Sequence, residues 1–258
     1  MDNVILTQMQ PDPRPYGLFG LIISLAGLAL IATAALALGL GVIALGDFLL
    51  HGWPHLLDSF RMVAALPQGA NMEDLTKLGI VLGAAIYVSA ILALWAMARL
   101  RAGKGWPLLL GWTPFEADRT YWALLLTSLV YGPLASLVVG YFHPAAKKWF
   151  VVPDSPWGLG LAFFLVVVLA PLAEELFFRG WLYTALRWRF GFAGALWTTA
   201  ILFALAHWES THLYALAILP MGLVLGYLRE RTGSTRATTL FHMLYNLSGL
   251  ALSILAKV

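Results

Sequence analysis

Seven side chains fall into three short clusters: Glu174, Glu175 and Arg179 (EExxxR), Phe203 and His207 (FxxxH), and His242 and Asn246 (HxxxN). A carboxylate and an imidazole are the groups that take a proton from a reacting water. An imidazole and an amide can donate hydrogen bonds to an oxyanion as it forms. The three clusters together therefore carry the parts of a hydrolytic site. Each lies inside or at the end of a stretch apolar and long enough to cross a bilayer. Ionisable groups there are costly and mark function.

The cost can be weighed. Glu174, Glu175 and Arg179 follow the apolar run 159–173. At mid-membrane, three such groups cost about 8–10 kcal/mol, against about 3–6 kcal/mol returned by ten or so Leu, Phe and Val residues. Partners or a wet cavity must rescue the segment. Glu175 and Arg179 are four apart, with the acid first, the better order for a helical ion pair. Glu174 points about 100° away and is left for another role. Pro171 removes a backbone hydrogen bond just upstream and can widen a cavity at this level.

The next clusters must reach the same depth. If two helices form a hairpin turning near residues 189–190, Glu174 lies as far before the turn as His207 lies after it, so they share a level. His242 and Asn246 are one turn apart on one face. A plain hairpin of the last two helices, however, leaves His242 about 15 Å from the level of His207. The sequence does not close that gap.

The elements that position these residues are membrane helices. Of 258 residues, 60% are hydrophobic and 11% charged, against about 25% charged in soluble domains. The fold class expected is all-α: a polytopic bundle of about seven to eight spans, one integral membrane domain with the bilayer as its partner. Uncharged runs fall near 16–46, 78–98, 121–142, 157–188, 192–208, 213–228 and 237–256. Leu56, Leu57, Phe60, Val63 and Ala64 follow helical spacing and suggest an interfacial helix between the first two spans. Residues 1–156 read as N-terminal helices and loops, 157–258 as the catalytic helices. Lys and Arg favour the N-terminus inside by about twofold. The scattered basic residues and net charge of +3 argue against nucleic acid. Without cysteine there is no thiolate site and no cysteine nucleophile. High Arg over Lys and abundant Ala point to a GC-rich bacterial source, hence the inner membrane.

In order and spacing, these clusters resemble the CAAX protease and bacteriocin-processing (CPBP or Abi) family of intramembrane endopeptidases, which includes the type II CAAX prenyl endopeptidases. The resemblance covers about 157–256, and the first 150 residues add nothing specific to it. It implies cleavage of a peptide bond in a membrane-associated peptide or protein at a site open toward the cytoplasm. It also implies roles. Glu174 with His207 would activate water, Glu175 would pair with Arg179, and His242 with Asn246 would hold the oxyanion. Phe203 reads as packing.

No cofactor is favoured. A zinc site of the His₂Glu kind, from Glu174, His207 and His242, is the alternative mechanism, but no HExxH occurs. Two other functions use the same residue types. A proton-coupled transporter would carry intramembrane Glu, His and Arg, although the chain lacks the internal repeats of such carriers. A non-catalytic immunity or scaffold protein could keep the same helices.

Overall fold

The computed structural model describes residues 72–142, 155–208 and 213–255 throughout, with Pro153 and parts of 22–54. All regular structure among the described residues is helical. A helical piece at Ser24–Ala34 falls within the first expected span. Most of the rest of that span, and the interfacial helix expected over 56–64, lie outside the described residues. The first long helix is α1 (Met72–Ala102), followed by a 3₁₀ turn (Gly103–Gly105), the short α2 (Trp106–Leu109) and α3 (Arg119–Phe142). Next come α4 (Pro156–Phe163), α5 (Ala170–Glu175) and α6 (Tyr183–Ala206), joined without a break by π-helical turns at Phe164–Leu169 and Leu176–Leu182. The last two helices are α7 (Leu213–Thr232) and α8 (Thr235–Leu255).

Five of these stretches are long and apolar enough to cross a membrane. One of them, Pro156–Ala206, has 51 residues, which would make a rod of about 75 Å, more than twice the hydrocarbon thickness. It does not run straight. Gly191 has φ 68° and ψ −174° inside it, a conformation that a side chain disfavours and glycine adopts freely. The chain reverses there into two arms. The rings of Phe178 and Phe203, on opposite arms, meet edge to face at 5.2 Å. The hairpin expected near residues 189–190 is present, one residue later.

The first arm starts for local reasons. The Ser155 hydroxyl accepts from the Gly158 amide at 3.1 Å, and Pro156 follows at the first helical position, where its missing N–H costs nothing. Packing then sorts the apolar surface. Trp181, Phe203, Leu225 and Phe241 are fully enclosed. Leu126, Val130, Leu134 and Leu137, on one face of α3, are more than half exposed. A continuous apolar face of that kind suits lipid and not water. The helices mark an integral membrane protein.

One end of the bundle collects cations. Arg187 pairs with Glu230 at 2.7 Å, Arg231 with Asp118, and the Arg236 guanidinium lies 5.4 Å from the centroid of the Trp112 ring. The Arg231 hydrogen bond and the Tyr121 amide hold the exposed Asp118 carboxyl below its usual range.

At the same end, the α7–α8 turn is set deep. Thr235, the first residue of α8, donates from its amide to the Gly111 carbonyl at 2.7 Å. Its hydroxyl donates to the Leu110 carbonyl at 2.6 Å. That Leu110 oxygen also lies 3.1 Å from where a Cβ on Gly180 would stand. The α7–α8 turn therefore sits near the level of Gly180, eleven residues short of the Gly191 turn along the first arm. This recess supplies the approximately 15 Å that level turns would leave open. The segment after α2 makes the recess stable, because its carbonyls take the first donors of α8.

Candidate active site

His207 closes the second arm. Its backbone leaves the helix at φ −100°, ψ 21°, and its ring Nδ1 is 2.8 Å from the Phe203 carbonyl. A carbonyl only accepts, so Nδ1 carries the proton. The neutral ring then presents a lone pair on Nε2. This gives the FxxxH spacing a physical reason: the carbonyl four residues back is an orphan at a helix end, and the imidazole satisfies it while fixing its own tautomer. The Phe203 ring, 4.7 Å from the imidazole centroid, backs the same side chain.

Glu174 faces it from the first arm. Its Oε2 lies 4.0 Å from His207 Nε2, and both side chains remain partly exposed, at 14% and 20%. The separation is too long for a direct hydrogen bond. Glu174 Oε1 accepts from the Tyr87 hydroxyl at 2.8 Å. The hairpin thus brings Glu174 and His207 together as their spacing predicts. Tyr87, on α1, was not expected from the motifs. It does leave a trace in the sequence, since tyrosine favours the membrane interfaces and this one stands at the centre of the 78–98 apolar run.

Glu175 is buried beside this pair. With no exposure at all, its Oε1 accepts from Arg179 Nη1 at 2.9 Å and lies 3.1 Å from His242 Nδ1. Arg179, equally buried, donates Nη2 to the Gly222 carbonyl at 2.9 Å, and its guanidinium lies 4.5 Å from the Phe203 ring centroid. The expected Glu175–Arg179 pair is found, with His242 as a third member. Phe203 does more than pack: it is fully buried between Arg179, His207 and His242. Among the described residues, Glu175 Oε2 and Arg179 Nε lack a partner within ordinary hydrogen-bond geometry.

Asn246 lies one turn beyond His242, as its spacing predicts. Its Nδ2 donates to the Val166 carbonyl at 2.9 Å. Val166 belongs to the π turn just before Pro171, where the widened helical pattern frees carbonyls for other partners. The second π turn behaves likewise, its Arg179 carbonyl accepting from Arg229 Nε at 3.0 Å. These widened turns flank α5, and α5 carries both glutamates.

His242 turns Nδ1 to Glu175 and His207 turns Nδ1 to a backbone carbonyl, which leaves Nε2 as the free nitrogen of each ring. Among the described residues no three His, Cys, Asp or Glu side chains are grouped to hold a metal ion.

No curated protein and no solved structure matches the chain. A family match does exist, and it starts at Pro156, the first residue of α4, ends two residues past Asn246 and contains all seven motif residues. Residues 156–248 match the family described as Type II CAAX prenyl endopeptidase Rce1-like.

Proposed function

We propose that the chain is an intramembrane endopeptidase that hydrolyses a peptide bond in a membrane-associated peptide or protein, CAAX-type C-terminal processing being the closest known chemistry. The observation that carries this reading is the facing of two acceptors, Glu174 Oε2 and His207 Nε2, 4.0 Å apart. A water donating one hydrogen to each would be held with its lone pairs free. In the reaction, its oxygen attacks the scissile carbonyl carbon while its proton passes to Glu174. The carbonyl π electrons move to oxygen. Collapse of that oxyanion breaks the C–N bond, and the leaving amine takes the proton back. The products are a carboxylic acid and an amine, which become a carboxylate and an ammonium once the acid's proton passes to the amine, with no bond formed to the protein.

The oxyanion would be met by His242 and Asn246. His242, held through Nδ1 by Glu175, would donate from Nε2 when that nitrogen also carries a proton. Asn246 keeps one amide N–H beyond the one used on Val166. Glu175 and Arg179 support the site without touching substrate. The domain is read as lying in a bacterial inner membrane.

The direct test is terminal proteomics of membranes containing the wild-type chain or Glu174→Gln. New termini that appear only with the wild type are expected, and their sequences name the substrate. Identical sets of termini from both membranes would overturn the reading.

A further inference from the structure

The 156–248 domain does not hold every group that touches its own glutamate. α1 lies wholly before it, yet Tyr87 on α1 donates its hydroxyl to Glu174 Oε1 at 2.8 Å. The contact is built from below. One turn earlier, a Cβ on Gly83 would stand 3.3 Å from Leu165 Cδ2, so α1 already runs against the π turn that precedes α5. The face that presents Gly83 to that turn presents Tyr87 four residues later. Tyr87 is half-buried, which limits the water that could replace its hydrogen bond.

A carboxylate can rotate about its last bond, and either oxygen can then serve as the base. Glu174 has different neighbours at its two oxygens: the Tyr87 hydroxyl at Oε1 and the His207 imidazole at Oε2. A phenol bonded to one oxygen fixes the carboxylate plane and leaves the other turned to the imidazole. Orientation of this kind acts on rate more than on fold, since a misplacement of about 1 Å can cost about a hundredfold. We propose that Tyr87 is a positioning residue for Glu174, so that the catalytic unit includes α1 and not only the 156–248 domain. The proposal rests on Glu174 being the base.

The test uses the full chain in lipid vesicles, supplied with membrane protein from cells lacking it, and counts new termini over time. Three forms are compared: wild type, Tyr87→Phe and Glu174→Gln. Phenylalanine keeps the ring and its packing, so a purely structural tyrosine would leave the rate unchanged. The expected result is about tenfold slower cutting by Tyr87→Phe, the scale of one lost hydrogen bond of about 1.4 kcal/mol, with an unchanged thermal midpoint. A second readout needs no turnover. With 3-fluorotyrosine placed at position 87, the fluorine resonance should move on Glu174→Ala, which removes the acceptor, and stay put on Arg231→Lys at the far basic end.

The outcomes separate. Wild-type cutting by Tyr87→Phe beside a dead Glu174→Gln overturns the role of Tyr87 alone. Normal cutting by Glu174→Gln overturns the base assignment, and the positioning role with it. A fluorine resonance indifferent to Glu174→Ala shows that the hydrogen bond is not made, and ends the proposal by itself.

Discussion

Glu175 holds two nitrogen donors with a single oxygen, Arg179 at 2.9 Å and His242 at 3.1 Å, where no water reaches. Its neighbour Glu174 is partly exposed and accepts from the Tyr87 hydroxyl at 2.8 Å. The two carboxylates should therefore fail in different ways. Glu175→Gln leaves the Arg179 charge buried without a counter-ion and should cost about 3–5 kcal/mol of stability as well as turnover. Glu174→Gln should abolish turnover while changing stability by about 1 kcal/mol or less, because the amide oxygen can still accept from Tyr87. Thermal unfolding of both variants in one detergent checks the contrast. A Glu175→Gln protein as stable as the wild type would remove the buried pair from the account. The sequence announced the Arg179 partner through its i,i+4 spacing. It could not announce His242 at the same oxygen, because that contact depends on where α8 begins in depth.

The depth of α8 is decided by elements far from the motifs. Hairpin symmetry about Gly191 follows from residue counting alone, so the Glu174–His207 level was legible before any coordinates. The recess of the α7–α8 turn was not. It exists because the carbonyls of Leu110 and Gly111 accept the Thr235 hydroxyl and amide, and nothing in the spacing of 106–113 advertises that. Some ends were also misjudged. The apolar runs 78–98 and 213–228 are shorter than α1 and α7, because a run ends at its first charge whereas a helix continues past it. Two substitutions test the elements. Gly180→Val would thrust a side chain at the Leu110 oxygen, 3.1 Å from a Cβ there. Overpacking of that kind should cost about 1–3 kcal/mol and slow turnover by lifting α8. Gly191→Ala should cost about 1–3 kcal/mol, because φ 68° with ψ −174° is a region essentially reserved for glycine, with turnover of the folded fraction kept. If Gly180→Val destabilised the protein no more than Gly191→Ala and kept full turnover, the recessed turn would not be what carries His242 to Glu175.

Orientation of the whole molecule follows from its basic end. Arg187, Arg189, Arg229, Arg231 and Arg236 gather at the hairpin and α7–α8 turns, and Arg99, Arg101 and Lys104 join them at the end of α1. Under the positive-inside rule this end would face the cytoplasm. The Glu174–His207 pair would then be deep. Glu174 lies seventeen residues before Gly191, about 25 Å along the helix, and His207 closes the arm at its far end. A site reached from the cytoplasm must accept substrate down most of the membrane thickness, since the hydrocarbon core is about 30 Å across. Because the chain has no cysteine, single cysteines report sidedness without background. Arg189→Cys, at the turn, should react with a membrane-impermeant maleimide only in inside-out vesicles. Trp157→Cys, whose position is 77% exposed at the opposite end of the first arm, should react only in right-side-out vesicles. The reverse pattern would put the basic end outside against its charge. It would also bring the His207 end of the arm to the cytoplasmic face, which is the arrangement that a shallow, cytoplasm-facing site requires.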